Sequence, residues 1–200
     1  MILIIVDPQY DFVIGNLSIK GSRKAIDHIA SFIEQNDINK CYITVDWHSY
    51  NHCSFKSEGG IWDKHCIKYT YGASIIYSII SALGEKKITP DIIRKGEYHE
   101  EYTAFTNTGL INVFGEKFWE IEKSSCKFNI LIPENEDVVI CGLNCVLETI
   151  KALIDLNPII MLDGIASIDD GEELNNYIQE ECYEDVCYCC YKIHILNGIK

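Results

Sequence analysis

Short runs of residues that are apolar at every position recur along this chain. They are ILIIV at 2–6, CYITV at 41–45, VVIC at 138–141 and IIML at 159–162. Continuous apolar runs of this length are typical of strands buried on both faces, as they are in parallel sheets. DIIR at 91–94 predicts a further, shorter strand. These runs favour folds built on a largely parallel sheet.

Amphipathic patterns separate the predicted strands. One begins at Ser22, the predicted N-cap, and carries apolar residues at helical spacing. Others predict helices over 73–83, ended by Gly84, and over 147–156. Alternation of strand and helix implies right-handed crossovers that place helices on both faces of the sheet. We therefore predict an α/β fold with a Rossmann-like parallel sheet, in a single domain over residues 1–200.

Polar side chains follow the predicted strands at the points where they end. Asp7 follows the first strand, Asp46 and His48 the second, Lys95 the short one, and Cys145 comes after a glycine turn. The carboxyl ends of parallel strands meet at one edge of a sheet, where α/β proteins bind their ligands. We expect these five side chains to lie at one site.

The composition limits the classes of partner. The chain has 200 residues, is 48% hydrophobic and carries a net charge of −13, which argues against binding to nucleic acid or an anionic membrane. No apolar run has the roughly 18 residues needed to span a bilayer, and no export signal is evident. A cytoplasmic protein is therefore expected, with its ten cysteines reduced.

The segment DWHSYNHCSFKSEGGIWDKH has the composition of a metal site. It carries Asp46, His48, His52 and His65, so half of the six histidines lie within twenty residues. A polar surface loop with chance histidines is the alternative, but this density favours a metal. Imidazole and carboxylate ligands suit zinc, iron and manganese.

Three other residues have both an ordinary and a functional interpretation. Cys145 precedes a predicted helix, whose N-terminus would lower the thiol pKa, although a cysteine can also be a small buried hydrophobe, as is predicted for Cys141. Lys95 is either a solvated charge or a buried cation that holds a thiolate and a carboxylate together. Asp7 either ends a strand before Pro8 or takes part in the site.

The C-terminal run CYEDVCYCCYKIH resembles a zinc knuckle only in composition. It has no paired CxxC spacing, and its cysteines alternate with tyrosine and isoleucine as in a strand. We interpret these residues as structural: Cys182, Cys187, Cys189, Cys190 and His194.

Five segments together resemble the nicotinamidase/pyrazinamidase branch of the isochorismatase-like cysteine hydrolases. They are VDPQYDF…GNL at 6–17, DWHSYNHCSF at 46–55, GGIWDKHC at 59–66, KGEYHEEYTAF at 95–105 and CGLNCVLETIKAL at 141–153. They occur in the family's order, and the DWH…NHCSF…W..HC block is the most specific. The resemblance implies the three-layer sandwich of that family.

The resemblance also implies roles for individual residues. Asp7, Lys95 and Cys145 match the catalytic triad of the family. Asp46, His48, His52 and His65 match its metal ligands. Phe12, Trp62 and Tyr102 match the residues that line its pocket for an aromatic ring.

The implied activity is hydrolysis of nicotinamide, or of analogues such as pyrazinamide, to the acid and ammonia through a thioester, in NAD salvage. One divalent ion, zinc first and iron or manganese as alternatives, would orient the ring rather than generate the nucleophile. A small neutral amide suits an acidic chain. The oligomeric state is left open.

Two departures from the family pattern keep other functions open. The family's Gly-Leu-Ala-x-Asp-x-Cys-Val is shortened, because 142–144 run directly into Cys145. The family's Trp-Pro-x-His loses its proline, since Asp63 follows Trp62. The alternatives are a catalytically impaired relative that binds metal and heteroaromatic rings, and a sibling hydrolase of another amide. The ligand set weighs against the isochorismate branch, which lacks it.

Overall fold

The computed structural model describes residues 1–96, 136–153, 158–183 and 194–196. Its strands are β1 (Ile2–Val6), β2 (Lys40–Asp46), β3 (Asp91–Lys95), β4 (Val138–Leu143), β5 (Ile159–Ala166) and β6 (His194–Leu196). They form one sheet in the order β3-β2-β1-β4-β5-β6, and every pair is parallel. The parallel sheet expected from the apolar runs is confirmed.

Helices cover both faces of this sheet. They are α1 (Ser22–Gln35), α2 (Tyr77–Glu85), α3 (Val146–Ala152) and α4 (Glu172–Tyr183). Successive residues of a strand point to opposite faces, so Leu3 joins a core with Ile29 of α1, and Ile4 joins another with Ile150 of α3. The result is the predicted three-layer arrangement. The single-domain organisation stays a prediction.

The start of α1 corrects the predicted N-cap. Ser22 is the first helical residue, and Gly21 stands in the cap position with a φ of 82°. The Ser22 hydroxyl donates to the carbonyl of Ile19 at 2.6 Å instead of capping the helix. A left-handed conformation is readily adopted by glycine, which explains why the cap lies at Gly21 and the helix begins one residue earlier than the pattern suggested.

The bounds of α2 also differ from the prediction. The helix begins at Tyr77 rather than at residue 73, because the preceding segment is held against the loop after β1. There Ile75 forms an antiparallel bridge with Gln9, and the Ile76 amide donates to the Pro8 carbonyl at 2.8 Å. The predicted stop, Gly84, lies inside the helix.

A bulge in β5 shapes the edge of the sheet near Cys145. Ile140 pairs with Ile160, but Gly142 pairs with Ile165, so β5 carries extra residues between the two pairings. The strand then continues to Ala166, whose carbonyl accepts a hydrogen bond from the Asn144 amide at 2.8 Å. This bond fixes the turn that leads into α3.

Some predictions fall wholly or partly outside the described residues. The helix expected over 147–156 is present as α3, but 154–157 are not described. Tyr102, Cys187, Cys189 and Cys190 also lie outside, so the interpretation of the C-terminal run stays a prediction. In the part of the chain that the structure describes, no helix is both long and apolar enough to cross a membrane.

Gly142 is expected to be indispensable for the packing of β4 on β1. Its φ is +131°, and a Cβ there would lie 2.1 Å from the Val6 carbonyl oxygen. We expect Gly142→Ala to lower the free energy of unfolding by about 2 kcal/mol or more. Urea denaturation measures this change.

Gly84→Ala is the matched control. A Cβ at Gly84 would meet nothing within 4 Å, and the residue lies in α2. This variant should gain about 0.5–1 kcal/mol from helix propensity. A Gly142→Ala protein as stable as wild type would contradict the close approach of the two strands.

Candidate active site and metal site

A buried lysine joins two carboxylates at the carboxyl edge of the sheet. The Lys95 Nζ lies 2.6 Å from the Asp7 Oδ2 and 2.5 Å from the Asp46 Oδ1. Lys95 ends β3, where it is the register partner of Asp46, and its side chain is 1% exposed. Lys95 is therefore a buried cation and not a solvated surface charge.

The three charges have different pKa shifts. Burial opposes ionisation of Asp46, but Lys95 and then His48 outweigh it and hold the pKa of this carboxyl well below its usual value. Burial dominates at Asp7 and raises its pKa to about 6, against the opposing effect of Lys95. Lys95 and Asp46 thus form a firm ion pair, while Asp7 is poised to exchange a proton near neutral pH.

The backbone and a neighbouring threonine hold Asp7 in place. Asp7 has a φ of 49°, which is uncommon for a residue with a Cβ. The Thr44 hydroxyl donates to its Oδ1 at 2.7 Å, and the Asp7 amide donates to the Thr44 carbonyl at 3.0 Å. One carboxylate oxygen is fixed by Thr44 and the other faces Lys95.

Cys145 completes this group of charges. It stands directly before α3, with its Sγ 3.7 Å from the Lys95 Nζ and 3.4 Å from the Asn144 Nδ2. The helix start was expected to lower the thiol pKa. Burial instead raises the pKa of Cys145 above its ordinary value, and Lys95 only partly offsets this. Without substrate, Cys145 is a thiol beside a cation.

Asp46, His48 and His65 form a compact group of metal-type ligands. The Asp46 Oδ2 lies 3.6 Å from the His48 Nε2 and 3.7 Å from the His65 Nε2, and all three residues are buried. Ligand atoms about 2.1 Å from a tetrahedral ion lie about 3.4 Å apart, so this spacing fits a divalent metal. Three protein ligands leave a coordination position open for water or substrate.

The other ring nitrogens of the two histidines support this assignment. The His48 Nδ1 lies 3.1 Å from the Gly96 carbonyl, and the His65 Nδ1 lies 2.7 Å from the Asp63 carbonyl. A carbonyl only accepts, so each Nδ1 carries the proton and each Nε2 presents a lone pair. The His48 Nε2 is buried without a hydrogen bond. This is the arrangement that a metal ion needs.

His52 lies beside the group but differs from it. Its ring centroid is 4.2 Å from that of His48, and its Nδ1 accepts the Ser54 amide at 3.3 Å. The group of three ligand atoms within 4.8 Å of one another does not include His52. Its predicted role as a fourth ligand stays a prediction.

A cavity of about 380 Å³ opens beside these side chains. Asp46 and His65 line it from the ligand group, Cys145 from the turn before α3, and Trp62 from the loop between the histidines. Phe12 is not among the lining residues. Its ring is fully buried, with its centroid 5.7 Å from that of His65, so it packs behind a ligand residue.

Part of the cavity wall was not foreseen from the sequence. Glu148 of α3, Glu173 of α4 and Asp169 all line it. These residues follow β4 and β5, and no sequence signal separates them from ordinary helix-surface acids. Their charge favours a neutral ligand over an anion.

Gln9 was also missed, although it lies within the VDPQYDF motif. Its side-chain amide donates to the Asp46 carbonyl at 2.8 Å and to the Ala73 carbonyl at 2.9 Å, while its oxygen accepts the Asp46 amide at 2.8 Å. Gln9 is completely buried. It therefore holds the backbone of a metal-type ligand in place.

Sequence comparison finds nicotinamidases. The chain is 25% identical to the nicotinamidase of Saccharomyces cerevisiae over 214 residues, which cover 90% of this chain and 94% of the yeast protein. It is 29% identical to the nicotinamidase of Acinetobacter baylyi over 144 residues, covering 58% of this chain and 62% of that protein. No protein-family model matches the chain.

Solved structures share the fold. The yeast nicotinamidase structure matches with a TM-score of 0.70 at 24% identity, over 98% of this chain and 99% of that one. The pyrazinamidase of Pyrococcus horikoshii, solved in complex with zinc, matches with a TM-score of 0.67 at 21% identity, over 98% of both chains. The chain therefore shares the fold of these solved nicotinamidase and pyrazinamidase structures. In sequence the chain is similar to nicotinamidases.

Replacing Lys95 should destabilise the fold, because Asp7 and Asp46 would stay buried without a cation. We expect Lys95→Met to lower the free energy of unfolding by about 3–5 kcal/mol, because it leaves Asp7 and Asp46 without their cation. Guanidinium denaturation of the metal-free protein measures this. Lys20→Met is the control, since Lys20 pairs with Asp170 in solvent, and it should match wild type. An equal decrease in the free energy of unfolding of both variants would contradict the stabilising role of Lys95.

Metal affinity should depend on the compact ligand group. With zinc as the probe ion, His65→Ala should weaken binding by more than about 100-fold, beyond the loss typical of a supporting residue. Calorimetry measures the affinity. His28→Ala is the control. His28 lies on α1 near Asp163, and this variant keeps all ten cysteines. Equal zinc binding by both variants would mean that the ion binds elsewhere.

Proposed function

We propose that this protein hydrolyses nicotinamide, and related heteroaromatic amides such as pyrazinamide, to the acid and ammonia. One observation carries the proposal: a cysteine beside a buried aspartate–lysine pair lines the same cavity as a metal-type ligand group. The first element suits acyl transfer, and the second suits a ring with a basic nitrogen. The curated relatives in both organisms are nicotinamidases.

The first half of the reaction forms a thioester. Asp7 takes the thiol proton of Cys145 as the sulfur attacks the amide carbon, and the carbonyl oxygen gains the negative charge. The pKa of Asp7, about 6, suits this transfer. Because the pKa of Cys145 is raised, the proton leaves the sulfur while the carbon–sulfur bond forms and not before. Lys95 stays charged and stabilises the developing thiolate. Asp7 then returns the proton to the nitrogen, and ammonia leaves.

The second half regenerates the enzyme. Water attacks the thioester carbon while Asp7 accepts a water proton, and the carbon–sulfur bond breaks to release the acid and the Cys145 thiolate, which is reprotonated. The product carries a negative charge near Glu148, Asp169 and Glu173, which line the cavity. Their repulsion favours release of the acid over retention.

The ligand group orients the substrate. Asp46, His48 and His65 would hold one divalent ion, with His52 as the proposed fourth ligand. When bound, this ion, for which we propose zinc rather than iron or manganese, supplies a Lewis-acid contact for the ring nitrogen, directly or through water.

Aromatic side chains complete the proposed substrate site. Trp62 lines the cavity, and Phe12 packs behind His65. We propose that Trp62 and Tyr102 contact the substrate ring, and that Phe12 supports the ring site from behind His65. The product acid would enter NAD salvage, and we propose the cytoplasm as the location.

The shortened turn before Cys145 motivated the alternative of a catalytically impaired relative. Gly142 and Asn144 have φ values of 131° and 60°, and these two positive φ angles turn the chain from β4 into α3 within a few residues. The Cys145 Sγ still lies 3.7 Å from the Lys95 Nζ. This contact favours turnover over binding alone.

Ammonia release from nicotinamide by the metal-loaded protein tests the proposal. Wild type should release ammonia, and Cys145→Ala should release none, since no other group replaces the sulfur. Cys41→Ala is the matched control, because Cys41 is buried in the core and not in the cavity. It should keep its activity. Absence of release by wild type, or release unaffected by Cys145→Ala, would refute the proposal.

A further inference from the structure

Asn144 occupies an unusual position beside the nucleophile. It directly precedes Cys145, lines the cavity and has a left-handed φ of 60°. Its side-chain Nδ2 lies 3.4 Å from the Cys145 Sγ. The amide group of Asn144 therefore faces the space in which a carbonyl carbon bonded to that sulfur would sit.

The main-chain amides around Cys145 are largely committed elsewhere. The Asn144 amide donates to the Ala166 carbonyl at 2.8 Å, and the Val146 amide donates to the Asn144 carbonyl at 2.8 Å. Among residues 144–146 this leaves at most the Cys145 amide for an oxygen at the reacting carbon. Acyl transfer needs preorganised donors for that oxygen, because it becomes an anion in the tetrahedral intermediate. A side chain beside the sulfur can supply a further donor.

We propose that the Asn144 carboxamide NH₂ is that donor and holds the oxyanion during attack by Cys145. The proposal rests on the hydrolytic function proposed above. As the carbon–sulfur bond forms, the electron pair of the carbonyl π bond moves onto oxygen, and Nδ2–H donates to it. When ammonia leaves, the carbonyl re-forms and this hydrogen bond weakens.

Two simpler roles for Asn144 predict different results. As a turn residue, it would serve only by tolerating a positive φ, which glycine does as well. As a partner of the resting sulfur, it would stabilise the thiolate and so lower the pH at which Cys145 reacts with an alkylating agent. The oxyanion role requires the NH₂ group itself and acts only after a carbonyl is bound.

Two substitutions separate these roles. Asn144→Gly keeps the backbone conformation and removes the amide, whereas Asn144→Asp keeps the shape and replaces NH₂ with an acceptor. We expect both to lower kcat for nicotinamide by about 10²–10³-fold and to leave KM within a few-fold of wild type. The pH profile of Cys145 alkylation by iodoacetamide should not move in Asn144→Gly. Thermal unfolding and zinc affinity verify the fold.

A second measurement does not depend on turnover. Pyridine-3-carboxaldehyde adds to a thiol by forming a carbon–sulfur bond and a new oxyanion or hydroxyl, with the thiol proton passing to Asp7 or to the oxygen. Asn144→Gly should weaken its binding to the metal-loaded protein by about 10–100-fold. Binding of pyridine itself, which has no carbonyl, should be unchanged.

The outcomes keep the two proposals apart. Full activity in Asn144→Gly would overturn the oxyanion role while leaving nicotinamide hydrolysis intact. A higher pH midpoint for alkylation of Cys145 in Asn144→Gly would mean that Asn144 stabilises the resting thiolate instead, and would also overturn the oxyanion role. If wild type releases no ammonia, the proposed function fails, and aldehyde affinity still decides the role of Asn144. Equal aldehyde binding by wild type and Asn144→Gly would overturn it.

Discussion

The ammonium group of Lys95 joins the two halves of this site. It contacts Asp7 after β1, Asp46 at the end of β2 and the Cys145 sulfur, so the group around Cys145 and the ligand group share one cation. Two buried carboxylates this close would otherwise repel each other and take up protons. With Lys95 between them, Asp46 stays ionised for a metal and Asp7 stays near the pKa needed for proton transfer.

The parallel sheet sets where these charges meet. Register pairs Asp46 with Lys95 across β2 and β3, and Val6 with Gly142 across β1 and β4, so the residues that follow these strands converge at one edge. Gly142 permits the close approach of β4 to β1, and Asn144 returns the chain to α3. A turn shorter than the family pattern thus still brings the Cys145 sulfur to the lysine.

The buried strands and the residues at their ends could be predicted from sequence, because continuous apolar runs and the geometry of parallel sheets are local signals. The burial of Lys95 was left open between two interpretations, since it depends on two carboxylates that are distant in the chain. Gln9 and the acidic part of the cavity wall were missed for the same reason. The thiol pKa was expected to fall, but burial outweighs the helix start. The proposed role of Phe12 came from the resemblance, whereas that of His52 came from the histidine density of its segment as well. Phe12 is not among the residues that line the cavity, and His52 is not in the compact ligand group.

The central claim is that Cys145 attacks the amide carbon of a ring oriented by the ligand group. The most direct test is to mix the metal-loaded protein with nicotinamide, quench it in acid within the first turnover and analyse its peptides by mass spectrometry. The account predicts one nicotinoyl group on the peptide that contains Cys145. Turnover with no acylated peptide, or acylation of another cysteine such as Cys53 or Cys66, would contradict it.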